Sequence, residues 1–151
     1  MYKLIMGSLF LLFLASCKKM KDPVFEGIRN VKMDKPNQGK TIVLLDVAYF
    51  NPNKSGAVLK NAEGEAWLDS AYLGRFFVDS SVSIPANSSF LIPVRVEVAL
   101  TDMIRHSVAA MVKDDMLVTV KGKARVGKSG FFKNIALNYE GRHVMKELFK
   151  F

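Results

Sequence analysis

The chain has one cysteine, Cys17, and two histidines, His106 and His143, in 151 residues. A lone thiol excludes an intrachain disulfide, and neither histidine has a partner at metal-ligand spacing. No Gly-x-Ser-x-Gly elbow accompanies the serines of Ser80-Ser81 or Ser88-Ser89, so serine nucleophile chemistry has no scaffold here. After Cys17 no apolar run approaches the ~18 residues that a spanning helix needs, and no internal repeat or low-complexity tract is visible. These absences point away from disulfide scaffolds, metal sites, cofactor enzymes and helical membrane spans. Acidic residues are also in the minority, with 14 Asp and Glu against 22 Lys and Arg, for a net charge of +8.

The N-terminus has a clear pattern. Lys3 precedes an apolar stretch over 4–15, which ends in Leu14-Ala15-Ser16-Cys17. The stretch is too short to cross a ~30 Å hydrocarbon core as a stable helix and reads as a signal peptide. Small Ala15 and Ser16, with Leu14 at the third position before Cys17, form a bacterial lipobox, which makes Cys17 the lipidated first residue of the mature protein. The bland alternative is a small buried cysteine in an apolar segment, and position and flanks argue against it. At ~0.8 kcal/mol per buried methylene, a diacylglycerol thioether plus an N-acyl chain is an effectively permanent anchor. Three units are expected: a cleaved signal peptide over 1–16, a lipidated tether over 17–23 and one domain over 24–151. Lys18, Lys19 and Lys21 beside the anchor suit an anionic leaflet, at about 1 kcal/mol per cation. Lys18 rather than Asp after Cys17 argues against inner-membrane retention, so the expected location is the periplasmic face of the outer membrane. Nucleic acid is not an expected partner of an exported protein.

From residue 24 onward apolar residues recur every second position, as in half-buried strands. Strands are predicted over 25–33, 40–50, 57–68, 72–84, 89–100, 116–126 and 131–139. The cleanest has Ile92, Val94, Val96, Val98 and Leu100 on one face and Pro93, Arg95, Glu97 and Ala99 on the other. Pro93 cannot donate to a ladder, which points to an edge or a bulge there. Turn chemistry separates the runs at 51–56, 85–88 and 127–130. Between residues 100 and 116 the period changes: Ile104, Val108 and Met111 share a helical face, Thr101 or Asp102 could cap it, and Lys113 sits in its last turn. The expected fold is all-β dominated, an antiparallel β-sandwich of about seven strands with one short α-helix.

Several constellations imitate chemistry. Gly122-Lys123-Ala124-Arg125-Val126-Gly127-Lys128-Ser129 matches the phosphate-loop pattern literally, but it alternates as a strand and is followed by more strand, so it reads as a chance match. His143 and Glu147 would be one turn apart on a helix, without a third ligand. Asp102, His106 and His143 are the residues on which an enzyme reading would have to rest. Lys121, Lys123 and Arg125 form a basic stripe: either a solvated face that discourages edge pairing or a contact face for anionic lipid or polysaccharide. In Phe76-Phe77 and Phe131-Phe132 neighbouring side chains cannot both face one core, so one of each pair is a candidate exposed contact.

The hydrophobic run over 42–50 ending in Asn51-Pro52-Asn53 resembles the hallmark segment of the late embryogenesis abundant type 2 (WHy, water stress and hypersensitive response) domain. The order that follows, Glu65-Ala66-Trp67-Leu68, Tyr72-Leu73-Gly74, Ser83-Ile84-Pro85-Ala86-Asn87-Ser88 and the valine-alternating strand, extends the resemblance over about 25–126. It implies a seven-stranded antiparallel sandwich with one helix, a link to desiccation tolerance and no shared catalytic set. Pro52 fixes φ and the asparagine side chains can bond local backbone, so the motif reads as a rigid exit from a core strand. The expectation is a non-enzymatic, lipid-anchored envelope protein that protects under water stress. The rival is a periplasmic binding or assembly module for a lipid, a glycan or an envelope protein.

Overall fold

A computed structural model describes residues 19–99, 101–102 and 114–144. Eight antiparallel strands follow in order: β1 (Val24–Met33), β2 (Lys40–Asn51), β3 (Ala57–Leu68), β4 (Ala71–Val78), β5 (Val82–Ile84), β6 (Ser88–Ala99), β7 (Asp115–Lys128) and β8 (Phe131–Val144). They form one hydrogen-bonded sheet in the order β1-β2-β6-β4-β3-β7-β8, with β5 also pairing β3.

β2 and β6 show why these residues form strands. Thr41, Val43, Leu45, Val47 and Tyr49 lie directly opposite Val98, Val96, Val94, Ile92 and Phe90. Cross-strand pairs of β-branched and aromatic residues are the stabilising unit of a sheet. Pro93 pairs with Asp46 of β2, while on the other side the β4 ladder stops at Arg95. The proline thus sits where β6 is an edge on one side.

The sheet curls over its own core. Leu59, Ala62, Val78, Val82, Phe90 and Ala124 form a buried cluster, and Tyr49 from β2 and Leu137 from β8 both pack on it. Those two strands are far apart in the sheet, so only curvature brings them to one cluster. Phe25 of β1 meets His143 of β8 edge-to-face, ring centroids 5.6 Å apart, which brings the two outer strands together.

Two expectations change. The predicted 72–84 strand is interrupted at 79–81 into β4 and β5, which gives eight strands rather than seven. Both pieces pair β3, at Ala62–Leu68 and Ala57–Leu59, so they continue one line along it. β8 runs on to Val144, which places His143 on a strand rather than a helix turn with Glu147. The described strands form one continuous, curled hydrogen-bonded sheet, in which the two layers of the expected sandwich are not distinguished. Of the predicted helix only Thr101 and Asp102 are described, and the rest, His106 included, lies outside the described residues. Among the described residues no helix is long and apolar enough to cross a membrane.

Candidate functional site

Asn51 is the last residue of β2 and is 3% exposed. A buried carboxamide must have its hydrogen bonds met, and here each end of the group makes two. Asn51 Nδ2 donates to Ser55 O at 3.1 Å and to Pro85 O at 2.9 Å. Its Oδ1 accepts from Asn53 N at 3.1 Å and Asn53 Nδ2 at 2.9 Å. Asn53 reaches further: its Oδ1 accepts from Lys21 N at 2.8 Å, and its Nδ2 donates to Lys21 O at 2.7 Å. Asn87 N also donates to Asn53 O, at 2.9 Å. The Asn51-Pro52-Asn53 segment therefore fastens three pieces of chain: the loop after β2, the loop before β6 and the segment preceding β1. Leu14, Ala15, Ser16 and Cys17 lie outside the described residues.

A second feature is the outward sheet face. Lys121, Lys123 and Arg125 alternate with half-buried Val120 and Gly122, buried Ala124 and half-buried Val126. β7 lies between β3 and β8, so the stripe does not guard an edge. Nor is it uniformly basic. Glu65 lies opposite Lys121, Glu63 opposite Lys123 and Asn61 opposite Arg125. Lys123 Nζ meets Glu63 Oε1 at 2.9 Å, and this bond and charge hold the Glu63 carboxyl below its ordinary range. Glu97, Arg75, Glu65 and Lys121 form one alternating row across β6, β4, β3 and β7. In the parallel row Arg95 bonds Asp79 at 3.0 Å and Glu97 at 2.6 Å and lies over the Phe77 ring at 4.4 Å, with Arg75 5.0 Å from the same ring. Phe76 packs on the core while Phe77 faces out between two guanidinium groups. At the other pair, Phe131 is 86% exposed, and Lys60 lies 5.0 Å from the Phe132 ring.

Two open grooves share Phe77 and Asp79 on this face. One, about 530 Å³, includes Asn30, Asp46, Pro93 and Arg95 in its lining. The other, about 450 Å³, includes Asn61, Arg125 and Asn134. In register, Asn61 and Asn134 flank Arg125 on either side.

His143 belongs to an aromatic cluster. Its Nε2 is hydrogen-bonded to Tyr139 Oη, and Phe25 also contacts Tyr49, which stacks on Phe90. Burial, with Tyr139 nearby, pushes the Tyr49 phenol above its usual pKa. The Gly122–Ser129 stretch lies in β7 and its two-residue turn into β8 and leads into a strand, not a helix N-terminus. Among the described residues no three His, Cys, Asp or Glu side chains gather as a metal site.

Sequence reasoning missed the charge rows and the Lys21 clasp. A usable signal existed for the rows, since Glu63 and Glu65 repeat the two-residue spacing of Lys121 and Lys123.

Comparison with known families gives a match of residues 46–141 to the LEA_2 model, described as late embryogenesis abundant protein. It begins later than the 25–126 resemblance and continues well into β8. No curated protein sequence matches the chain. Among solved structures, an Arabidopsis thaliana protein is similar at 12% identity and TM-score 0.49, covering 88% of this chain and 89% of its own. An Archaeoglobus fulgidus protein is similar at 10% identity and TM-score 0.47, covering 81% and 98%. A structure described as a late embryogenesis abundant (LEA) protein is similar at 13% identity and TM-score 0.34, covering 96% and 87%.

Proposed function

Because the chain belongs to the late embryogenesis abundant LEA_2 family, we propose that it is a non-enzymatic, water-stress protective protein of the bacterial cell envelope. In this reading Cys17 carries the lipid and the domain faces the periplasm from the outer membrane. In this reading the finer architecture is a β-sandwich with one short helix. The observation that carries the reading, beside the family, is the Asn53 clasp on Lys21. It holds backbone only four residues after Cys17 against the sheet, and four residues span at most about 14 Å. The domain is thus held close to its anchor. A face of alternating charges is well hydrated and suited to lying against polar envelope components without a reaction. Nucleic acid, metal and cofactor have no part in this reading.

Membrane fractionation of the Cys17→Ser variant tests the anchor: release into the soluble periplasm is expected, and retention in the membrane would sink it. Survival of a deletion strain after drying tests protection, and tolerance equal to the parent removes that part. The rival binding or assembly module for a lipid, a glycan or an envelope protein draws support from the Asn61-Arg125-Asn134 groove. Native mass spectrometry of the purified protein with a co-purified glycan or lipid would favour that reading.

A further inference from the structure

The turn between β7 and β8 is two residues long. Ser129 (φ 52°) and Gly130 (φ 84°) both take the left-handed conformation of a tight hairpin turn, so the tip is short and stiff. The next residue, Phe131, is 86% exposed, more than any other large apolar side chain described. Its half-buried neighbour Phe132 turns to the outward sheet face, opposite Gly127 and beneath Lys60, so Phe131 shares the inner face with Lys128 at the end of the sheet, beyond the buried cluster. An exposed aromatic ring on a stiff tip has a hydrophobic cost in water that is recovered only when something covers it.

What surrounds the tip identifies the cover. Lys128 and Lys133 flank it on the hairpin, and both are exposed. Lys128 Nζ reaches Ser55 Oγ at 2.6 Å, which sets the tip beside the loop after β2, where Lys54 is exposed. That loop is the one that clasps Lys21 through Asn53. Among the described residues none of Lys21, Lys54, Lys128 and Lys133 has an ion pair. The arrangement differs from the outward sheet face, where lysines are interlaced with glutamates. A stiff aromatic tip ringed by unpaired lysines matches a bilayer interface in chemistry: the ring enters the acyl boundary and the ammonium groups stay with anionic headgroups.

We propose that the Phe131 tip of the β7–β8 hairpin inserts into the interfacial layer of an anionic membrane, giving the domain a second membrane contact beside its N-terminal segment. The proposal extends the anchored reading but stands on the hairpin, and a failed anchor and a failed hairpin give different results. With two contacts on one side of the sheet, the domain takes a fixed orientation on the membrane rather than swinging on a tether.

The test uses the full chain with Trp67→Phe and Phe131→Trp, reconstituted in vesicles of phosphatidylcholine alone or with phosphatidylserine, with brominated acyl chains as quenchers. Trp67 is the chain's only tryptophan, so residue 131 then carries the sole indole. On phosphatidylserine vesicles its emission is expected to shift to the blue and be quenched at shallow depth. Adding Lys128→Gln and Lys133→Gln should shift the inserted-to-free ratio about 25-fold toward free, about fivefold per lysine. Water-like, unquenched emission overturns the proposal, as does equal quenching with and without phosphatidylserine. A blue shift that grows with protein concentration in the absence of vesicles also overturns it, because the cover is then a second copy. If the double variant fails to fold, hydrogen exchange of residues 130–132 in the unaltered chain decides: slowing by phosphatidylserine vesicles supports insertion and unchanged exchange refutes it. The mass of the N-terminal peptide reports acylation of Cys17 separately.

Discussion

Asn51 permits a sharp test, because its two ends can be disabled separately. Truncation in Asn51→Ala removes both bonds donated by Nδ2 and both accepted by Oδ1. At about 1 kcal/mol net per neutral hydrogen bond the sum approaches 4 kcal/mol. Pro85 is exposed and Asn53 half-buried, so water can recover part of this, and a loss of about 2–3 kcal/mol is expected. Asn51→Asp keeps the shape and the acceptor but turns the Nδ2 position, which faces two carbonyl oxygens, into a carboxylate oxygen. That oxygen has nothing to accept, so burial and repulsion raise the folded-state pKa of the new acid above its unfolded value of about 3.9. A group with a raised folded pKa contributes its full stability below the unfolded pKa and loses it as pH rises through the folded one. Asn51→Asp is therefore expected to be mildly destabilised, by about 1 kcal/mol, at pH 3.5, where its protonated oxygen still donates once. At pH 7 it should fall to the level of Asn51→Ala or below. The Asn51→Ala loss should be the same at both pH values. Urea unfolding with an unchanged m-value, each variant compared with the parent at the same pH, reads all of this. An Asn51→Asp protein as stable as the parent at pH 7, or a gap to Asn51→Ala that does not vary with pH, would refute the hydrogen-bond account.

Gly64 and Gly122 face each other across β3 and β7, and a Cβ on Gly122 would lie 2.2 Å from Glu63 O. Gly122→Ala should cost about 2–3 kcal/mol as the strands are pushed apart, and an unchanged melting temperature would contradict the close approach. Arg95 and Phe77 should show a coupling of about 0.5–1 kcal/mol in a double-mutant cycle with Arg95→Ala and Phe77→Ala; additive losses would mean the stacked geometry contributes nothing. The Tyr49 phenol has a raised pKa from burial and from Tyr139. Its contribution to stability is complete below pH ~10 and lost as pH rises from there through the folded value. Tyr49→Phe should flatten that alkaline loss in a pH series of thermal melts, and a parent and variant with parallel alkaline profiles would count against it.

The alternation of β6 was readable because each residue has a simple choice of face, and Ile92, Val94, Val96 and Val98 do lie opposite β2 valines, leucine and threonine in register. The break at 79–81 was hidden for the same reason. Val78 and Val82 are both buried and an even number of residues apart, so the period of two runs through the interruption unbroken. The end of β8 was hidden by composition, since Glu140, Gly141 and Arg142 pair with Thr119, Val118 and Leu117 without an apolar alternation of their own.

Most of the site was illegible for a different reason. Periodicity assigns faces within a strand but not neighbours between strands. The basic stripe on β7 meets its acids only because β7 lies beside β3, a strand distant in sequence, and because the irregularity between Leu59 and Asn61 sets the register that puts Glu63 against Lys123. Shifting that register by one residue would turn Glu63 and Glu65 to the other face and leave the lysines unneutralised. The same physics separates the two basic regions. Lysines in the middle of the sheet have a partner strand on either side and acquire acids from it, whereas those beside the hairpin tip lie where the ladder ends and no partner strand supplies an opposite charge. In the sequence both are simply lysines, with nothing to mark which will meet an acid. Only the strand order distinguishes a neutralised, hydrated face from a basic rim around an exposed phenylalanine, and the rim is where a second membrane contact would be made.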